Sequence, residues 1–222
     1  ADPWSNSPTW CADVSGRVVR TRFGTCRTRI VELGELELPK GRLALCDPSE
    51  PAAAAAVAQV PPGRCVVTAT LADFSSNFDG ADERVAYASV RIAPGVEAYR
   101  APFPLAVSES ARSWMIVPDG AGYFVFRAAT IALLDDEALA TCLPPRKRWA
   151  DEIFDAANEP ESERRRADPA NALRGVVNVQ LPFAEHGENA VLFRGTGAAS
   201  VVGGYDAESR LVALHLDFGV VR

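Results

Sequence analysis

Asp135, Asp206, His215 and Asp217 are the side chains in this sequence best suited to proton transfer. His215 and Asp217 are two positions apart, so on a β-strand they share a face, with about 7 Å between their Cα atoms. That spacing suits a water-bridged acid and base. The plainer reading, and the preferred one, is a solvent-exposed pair on an edge strand. Asp135 and Asp136 are adjacent carboxylates, but adjacent acids at a helix start ordinarily serve as caps. His186 is the other histidine, and neither histidine sits in a metal-ligand spacing such as HExxH, so no metal is expected. The chain has no GxSxG elbow and no GxGxxG phosphate cradle, and no cofactor is expected. Gly195-Thr196-Gly197 and Gly203-Gly204 would let a ligand approach the backbone closely. They fit hairpin turns and bulges equally well.

The chain that must position these groups has 222 residues, 48% of them hydrophobic and 23% charged, which is enough apolar surface for a real core. It reads as an extended arm over residues 1–16 followed by one β-rich domain over 17–222. A net charge of −6 argues against nucleic acid as a partner, because phosphate binding needs a basic surface. Lys40 and Lys147 are the only lysines, so the positive charge is carried by arginine. Arginine suits interfaces, though a GC-rich genome explains it, and the abundant alanine, more simply. No stretch approaches the ~18 apolar residues of a membrane span. The chain is therefore read as not membrane-spanning, with a peripheral place on a membrane complex left open.

The sequence begins Ala1-Asp2-Pro3 and its one methionine is Met115. Removal of a targeting peptide would account for that, and so would an appended leader. Processing implies an exported or organelle-lumen protein rather than a cytoplasmic one, and that compartment permits disulfides. Cys46 with Cys65, and Cys11 with Cys26, would close short loops of about 15–20 residues and stabilise by roughly 3 kcal/mol each. Cys142 would be left over. The competing reading is a set of reduced, buried thiols. At least one disulfide is expected, Cys46–Cys65 first.

The organisation is a succession of short β-like runs punctuated by glycine and proline. Strands are expected over residues 17–22, 28–31, 42–46, 65–71, 84–92, 113–117, 123–126, 175–182, 190–194 and 210–218. The 65–71 and 84–92 runs should pair as a hairpin with a long connection. In the last strand Val212, Leu214, Leu216 and Phe218 should face one way, and Leu211, Ala213, His215 and Asp217 the other. Helical turns are expected in the alanine run before Pro61-Pro62-Gly63, from Asp135 to about Cys142, and from Trp149 to Asn158. Residues 159–170 read as a solvated loop, or more sharply as a contact for an acidic partner through Arg164, Arg165 and Arg166. Trp4 and Trp10 would anchor the N-terminal arm on a surface, since a Trp ring buries a large area at small entropic cost. The fold class expected is α+β, mainly antiparallel β, as a sandwich or open barrel with a few short helices.

The order of several segments then becomes informative: Gly41-Arg-Leu-Ala-Leu-Cys-Asp-Pro48, Val60-Pro-Pro-Gly-Arg-Cys-Val-Val67, and Gly122-Tyr-Phe-Val-Phe-Arg-Ala-Ala-Thr-Ile-Ala-Leu-Leu-Asp135. After them come Phe193-Arg-Gly-Thr-Gly-Ala-Ala-Ser200, Gly204-Tyr-Asp-Ala-Glu-Ser-Arg-Leu-Val212 and the closing Leu216-Asp-Phe218. Over roughly residues 40–220 this order resembles the bacterial family designated domain of unknown function 4241. That family's middle motif reads V-D-A-G-T-G-x-F-x-D and its late motif S-G-W-G-D-G. Asp135, Gly195, Gly197, Tyr205 and Asp206 match. Phe126 replaces the first Asp, Ala128 and Ala129 stand among the expected glycines, and Ala198-Ala199 replace the late Asp-Gly. The resemblance thus implies a fold more than an activity, with about half of any polar site lost.

These readings favour a non-catalytic binding or accessory subunit acting through contacts with protein subunits of a larger assembly, with Trp4, Trp10 and Arg164–Arg166 as partner contacts. The competing readings are a hydrolase using Asp135, Asp206, His215 or Asp217, and a bacterial immunity protein that binds a toxin.

Overall fold

A computed structural model describes residues 16–47, 56–77, 82–107, 115–116, 124–142, 176–185 and 187–221. The expectations for Trp4, Trp10, Cys11, Arg164, Arg165, Arg166, His186 and the 149–158 helix lie outside the described residues. The fold is mainly antiparallel β with one short helix, as the alternation of the sequence predicts. The strands are β1 (Val18–Thr21), β2 (Gly24–Leu38), β3 (Arg42–Cys46), β4 (Ala56–Gln59), β5 (Gly63–Asp73), β6 (Glu83–Arg91), β7 (Tyr99–Pro102) and β8 (Ala106–Val107). They continue as β9 (Met115–Ile116), β10 (Phe124–Asp135), β11 (Val176–Gln180), β12 (Asn189–Tyr205) and β13 (Leu211–Asp217), with helix α1 (Asp136–Thr141) following β10. Hydrogen bonding runs in the order β1-β2-β5-β6-β13-β12-β10-β3-β4-β8, while β7 and β11 also pair with β12 and β9 with β10. This ladder bends into a seven-strand half-barrel and a five-strand sheet.

The 17-residue β12 is the spine of the molecule. One half of it pairs with β13 and β7, the other with β11, and β10 runs along much of its length. The main core fills the concave face: Leu36, Leu45, Val67, Val90, Ile131, Leu133, Val191, Phe193, Leu214 and Leu216 are all buried in it. Each such side chain contributes roughly 1.5–3 kcal/mol of burial. The half-barrel is clasped across its open side by two asparagines. Asn189 Nδ2 donates to Glu35 O (2.6 Å) and to Asn178 Oδ1 (2.7 Å), Glu37 N donates to Asn189 Oδ1 (3.2 Å), and Asn178 Nδ2 donates to Leu33 O (2.9 Å). These bonds tie β2, at its bulge between Glu32 and Gly34, to β11 and β12.

Two expectations are corrected and one open choice is resolved. Ala56–Gln59 is a strand, not part of a helix: Leu43 faces Ala58 and Leu45 faces Ala56 across the β3–β4 ladder, and both alanines are fully buried. Tertiary pairing here overrides the helix propensity of alanine. Gly41 makes the turn that allows it, at φ +65°, where a Cβ would collide with Val60 O. Second, Gly195 and Gly197 lie inside β12 beside an irregularity opposite Ala128 and Thr130, which selects the bulge over the hairpin turn. Third, no disulfide joins the described cysteines. Cys46 on β3 lies between β10 and β4, whereas Cys65 on β5 lies between β2 and β6, so the two belong to separate parts of the ladder. Cys26 is buried among Val19, Phe74 and Tyr87, and its expected partner Cys11 falls outside the described residues. Burial, helped by the charge of Asp47, pushes the Cys46 thiol up to about 12, and burial followed by Glu37 pushes Cys65 up. Such thiols stay protonated and inert.

Candidate functional site

The sequence candidates occupy separate places. Asp135 ends β10 and caps α1, its Oδ1 accepting from Glu137 N (3.0 Å) and Ala138 N (3.3 Å). Its Oδ2 is buried with no hydrogen-bond partner among the described residues. Burial is the main force pushing this carboxyl up, against the lowering effect of the two backbone donors. Asp206 sits beyond the opposite end of β12 and organises the β12–β13 turn. Its Oδ1 accepts from Glu208 N (3.0 Å) and Arg210 N (2.8 Å), and its Oδ2 pairs with Arg210 Nε at 2.7 Å. The backbone bond from Arg210 leads the causes holding this carboxyl below its usual range. The turn places Ser209 at φ +63°. Asp217 ends β13, where its Oδ1 accepts from Gly219 N at 2.7 Å.

His215 is different. The expected alternation holds from Ala213 onward: Leu214, Leu216 and Phe218 join the main core, while Ala213, His215 and Asp217 take the other face. It fails at the start of the strand, where an irregularity beside Gly204 and Tyr205 sets Leu211, not Val212, against the main core and leaves Val212 beside Gly95. The face of His215 is not exposed as anticipated: His215 has 0% relative exposure and Asp217 3%. The reason is topological. β13 is flanked by β6 and β12 and is not an edge, and the segment after β6 folds back over it. Ile92 N and Ala93 N donate to Val212 O, and Ala98 N donates to Tyr205 O, which fixes that segment.

Folding back brings Glu97 onto His215. Glu97 Oε2 lies 2.7 Å from His215 Nε2, and Ser89 Oγ, directly across the β6–β13 ladder, lies 2.8 Å from His215 Nδ1. Arg100 Nε donates to the other carboxylate oxygen, Glu97 Oε1. Burial pushes the Glu97 carboxyl up, but the hydrogen bond and charge of His215, then those of Arg100, outweigh it and hold the group below its usual range. The pair Gly203-Gly204 does permit a close approach, and it is the chain's own side chains that make it. A Cβ at Gly204 would stand 2.9 Å from His215 Nε2 and closer still to Glu97 Oε2. A Cβ at Gly203 would strike the Tyr205 ring. Tyr205 stacks on Tyr99 with centroids 5.3 Å apart. Burial, then the neighbouring Tyr99, push its phenol up.

A serine, an imidazole and a carboxylate in one hydrogen-bonded line have the composition of an acyl-transfer relay. Here the line is enclosed, with Ser89 only 5% exposed and the carboxylate shared with Arg100. The same groups also satisfy one another as a buried polar network must. Sequence reasoning singled out His215 and the two glycines but missed Ser89, Glu97 and Arg100. Their signal would have been the pairing of β6 with β13 for Ser89 and of β7 with β12 for Glu97 and Arg100, which local pattern does not reveal. Among the described residues no group of three or more His, Cys, Asp or Glu side chains is arranged to hold a metal ion. Comparison with protein-family models, curated proteins and solved structures finds no match to this chain.

Proposed function

We propose that this protein is a non-catalytic binding or accessory subunit that acts through protein–protein contacts. The carrying observation is the employment of all four candidate side chains by the fold itself. Asp135 caps a helix, Asp206 builds a turn, Asp217 holds the chain after β13, and His215 is enclosed between Ser89 and Glu97. General acid–base work needs a group that can exchange a proton with a bound substrate, and each of these groups is bonded to the chain's own backbone or side chains, with the second oxygen of Asp135 buried. Membership of the domain of unknown function 4241 family belongs to the same proposal and rests on the order of motifs. The test is gentle purification from the native source, followed by size-exclusion chromatography and native mass spectrometry. A stoichiometric protein partner is the expected result; a free monomer with measurable turnover of ester or amide substrates overturns the reading.

A hydrolase has one observation in its favour, the Ser89–His215–Glu97 line. A fluorophosphonate probe decides it: labelling of the wild-type chain that Ser89→Ala abolishes would establish a nucleophile, and no labelling is expected.

A further inference from the structure

The β1–β2 hairpin concentrates positive charge at one end of the ladder. Residues 16–29 contain Arg17, Arg20, Arg22, Arg27 and Arg29 and no acidic residue, in a molecule of net charge −6. The register sets Val18 opposite Arg27 and Arg20 opposite Thr25, so these four side chains share one face. Val19 and Cys26, on the other face, are buried. Arg20 and Arg27 are exposed, and Val18 beside them is 60% exposed. Two carboxylates lie near this cluster, and Asp73 offsets part of the charge of Arg27 and Arg29. Glu83 takes Arg29 in a two-bonded pair at 2.6 and 2.9 Å, and Asp73, opposite Arg27, accepts from Ser75 N at 2.9 Å.

The same hairpin ends the sheet. Among the described residues β1 pairs with β2 alone. Thr28 N donates to Arg17 O, so alternation turns the N–H and C=O groups of Val18 and Arg20 toward the open edge. An open edge is a template for a further strand. A second copy of this chain is a poor occupant, because antiparallel pairing of two β1 strands would bring their arginines together. Nucleic acid is also disfavoured, since the rest of the molecule repels phosphate and a strand edge offers it nothing.

We propose that the β1 edge docks an acidic, extended polypeptide segment by strand addition. Backbone bonds to Val18 and Arg20 supply the alignment. Arg20, beside the incoming strand, and Arg27, one strand or about 5 Å further in, meet carboxylates on one face of it. Val18 takes an apolar side chain between them. This rests on the binding-subunit reading and names the chemistry of its partner.

The experiment uses fluorescence anisotropy on the full chain with a labelled decapeptide alternating glutamate and valine, a lysine–valine counterpart, and a ten-residue oligothymidylate. The glutamate–valine peptide should bind, with affinity falling as salt rises. The double variant Arg20→Glu/Arg27→Glu should weaken it at least tenfold while the chain stays folded at the assay temperature, and Arg20→Lys/Arg27→Lys should stay within a few-fold. Equal binding by the charge-reversed chain, equal or better binding of the other two probes, or no binding of the acidic peptide overturns the proposal. If native purification yields a stoichiometric protein partner that the charge-reversed chain retains, the accessory reading stands and the assignment of this edge falls.

Discussion

Gly204 shows how a single missing Cβ decides a neighbourhood. It leaves the space in which Glu97 reaches His215, so Gly204→Ala should displace the carboxylate and leave buried polar groups unsatisfied. The expected cost is about 1–3 kcal/mol, read by chemical denaturation. In a Glu97→Gln background the same change should cost less, because the two positions share one contact; full additivity would show that they do not. The network also sets a pH dependence. Glu97 is held below its ordinary range in the folded state, so the stability it contributes is complete above the unfolded carboxylate value of about 4.3 and is lost as pH falls through the lower folded value. Once Glu97 is protonated, its ion pair with Arg100 is lost. Melting temperature followed from pH 7 to 3 should fall less steeply in Glu97→Gln than in the wild type. Part of the acid limb should remain, because Asp73 and Asp206 are also held low.

Helix α1 illustrates the same logic at the scale of an element. It has six residues and no basic residue in its last turn. A helix that short is not stable by propensity, so it depends on its cap and on attachment to β10. The ion pairs Arg42–Asp136 and Lys40–Glu137 tie its first turn to the start of β3, but both are exposed and contribute little. The Asp135 cap carries more, and at a cost, since its second oxygen is buried without a partner among the described residues. Its carboxyl is pushed up, so ionisation costs stability above the folded value, and that cost is withdrawn as pH falls toward the unfolded value of about 3.9. Asp135→Ala should therefore destabilise by about 0.5–2 kcal/mol through loss of the cap. Asp135→Asn keeps an acceptor and removes the buried charge, so its melting temperature at pH 7 should equal or exceed that of the wild type. A fall as large as the alanine variant's would show that the charge itself is needed.

For the whole molecule, the decisive contacts are those that close the half-barrel. Asn189 bridges Glu35, Glu37 and Asn178, joining residues about 150 positions apart in the chain. Asn189→Ala removes three hydrogen bonds and leaves Glu37 N and Glu35 O to find other partners. Destabilisation of about 1–3 kcal/mol is expected, together with faster amide exchange in the second half of β2. Unchanged exchange there would mean that packing alone holds the barrel shut.

Local pattern was enough for most strands, because an alternation of period two and bounding glycines or prolines are properties of adjacent residues. β3 was legible to the residue, and α1 was legible through its acidic start. From Ala213 onward the faces of β13 could also be read off, the irregularity at Leu211 and Val212 could not, and neither could the surroundings: the same alternation describes an edge strand with one wet face and a central strand covered on both. That choice made the difference between an exposed His215 and one enclosed by Ser89 and Glu97. It depends on which strands flank β13 and on a segment folding back over it, both of which are long-range pairings. The cysteines failed for the same reason. Cys46 and Cys65 are near in sequence and lie at strand ends, yet strand order places them in different parts of the ladder. Spacing along the chain limits how far apart two residues can be, whereas only the order of strands decides which side chains meet.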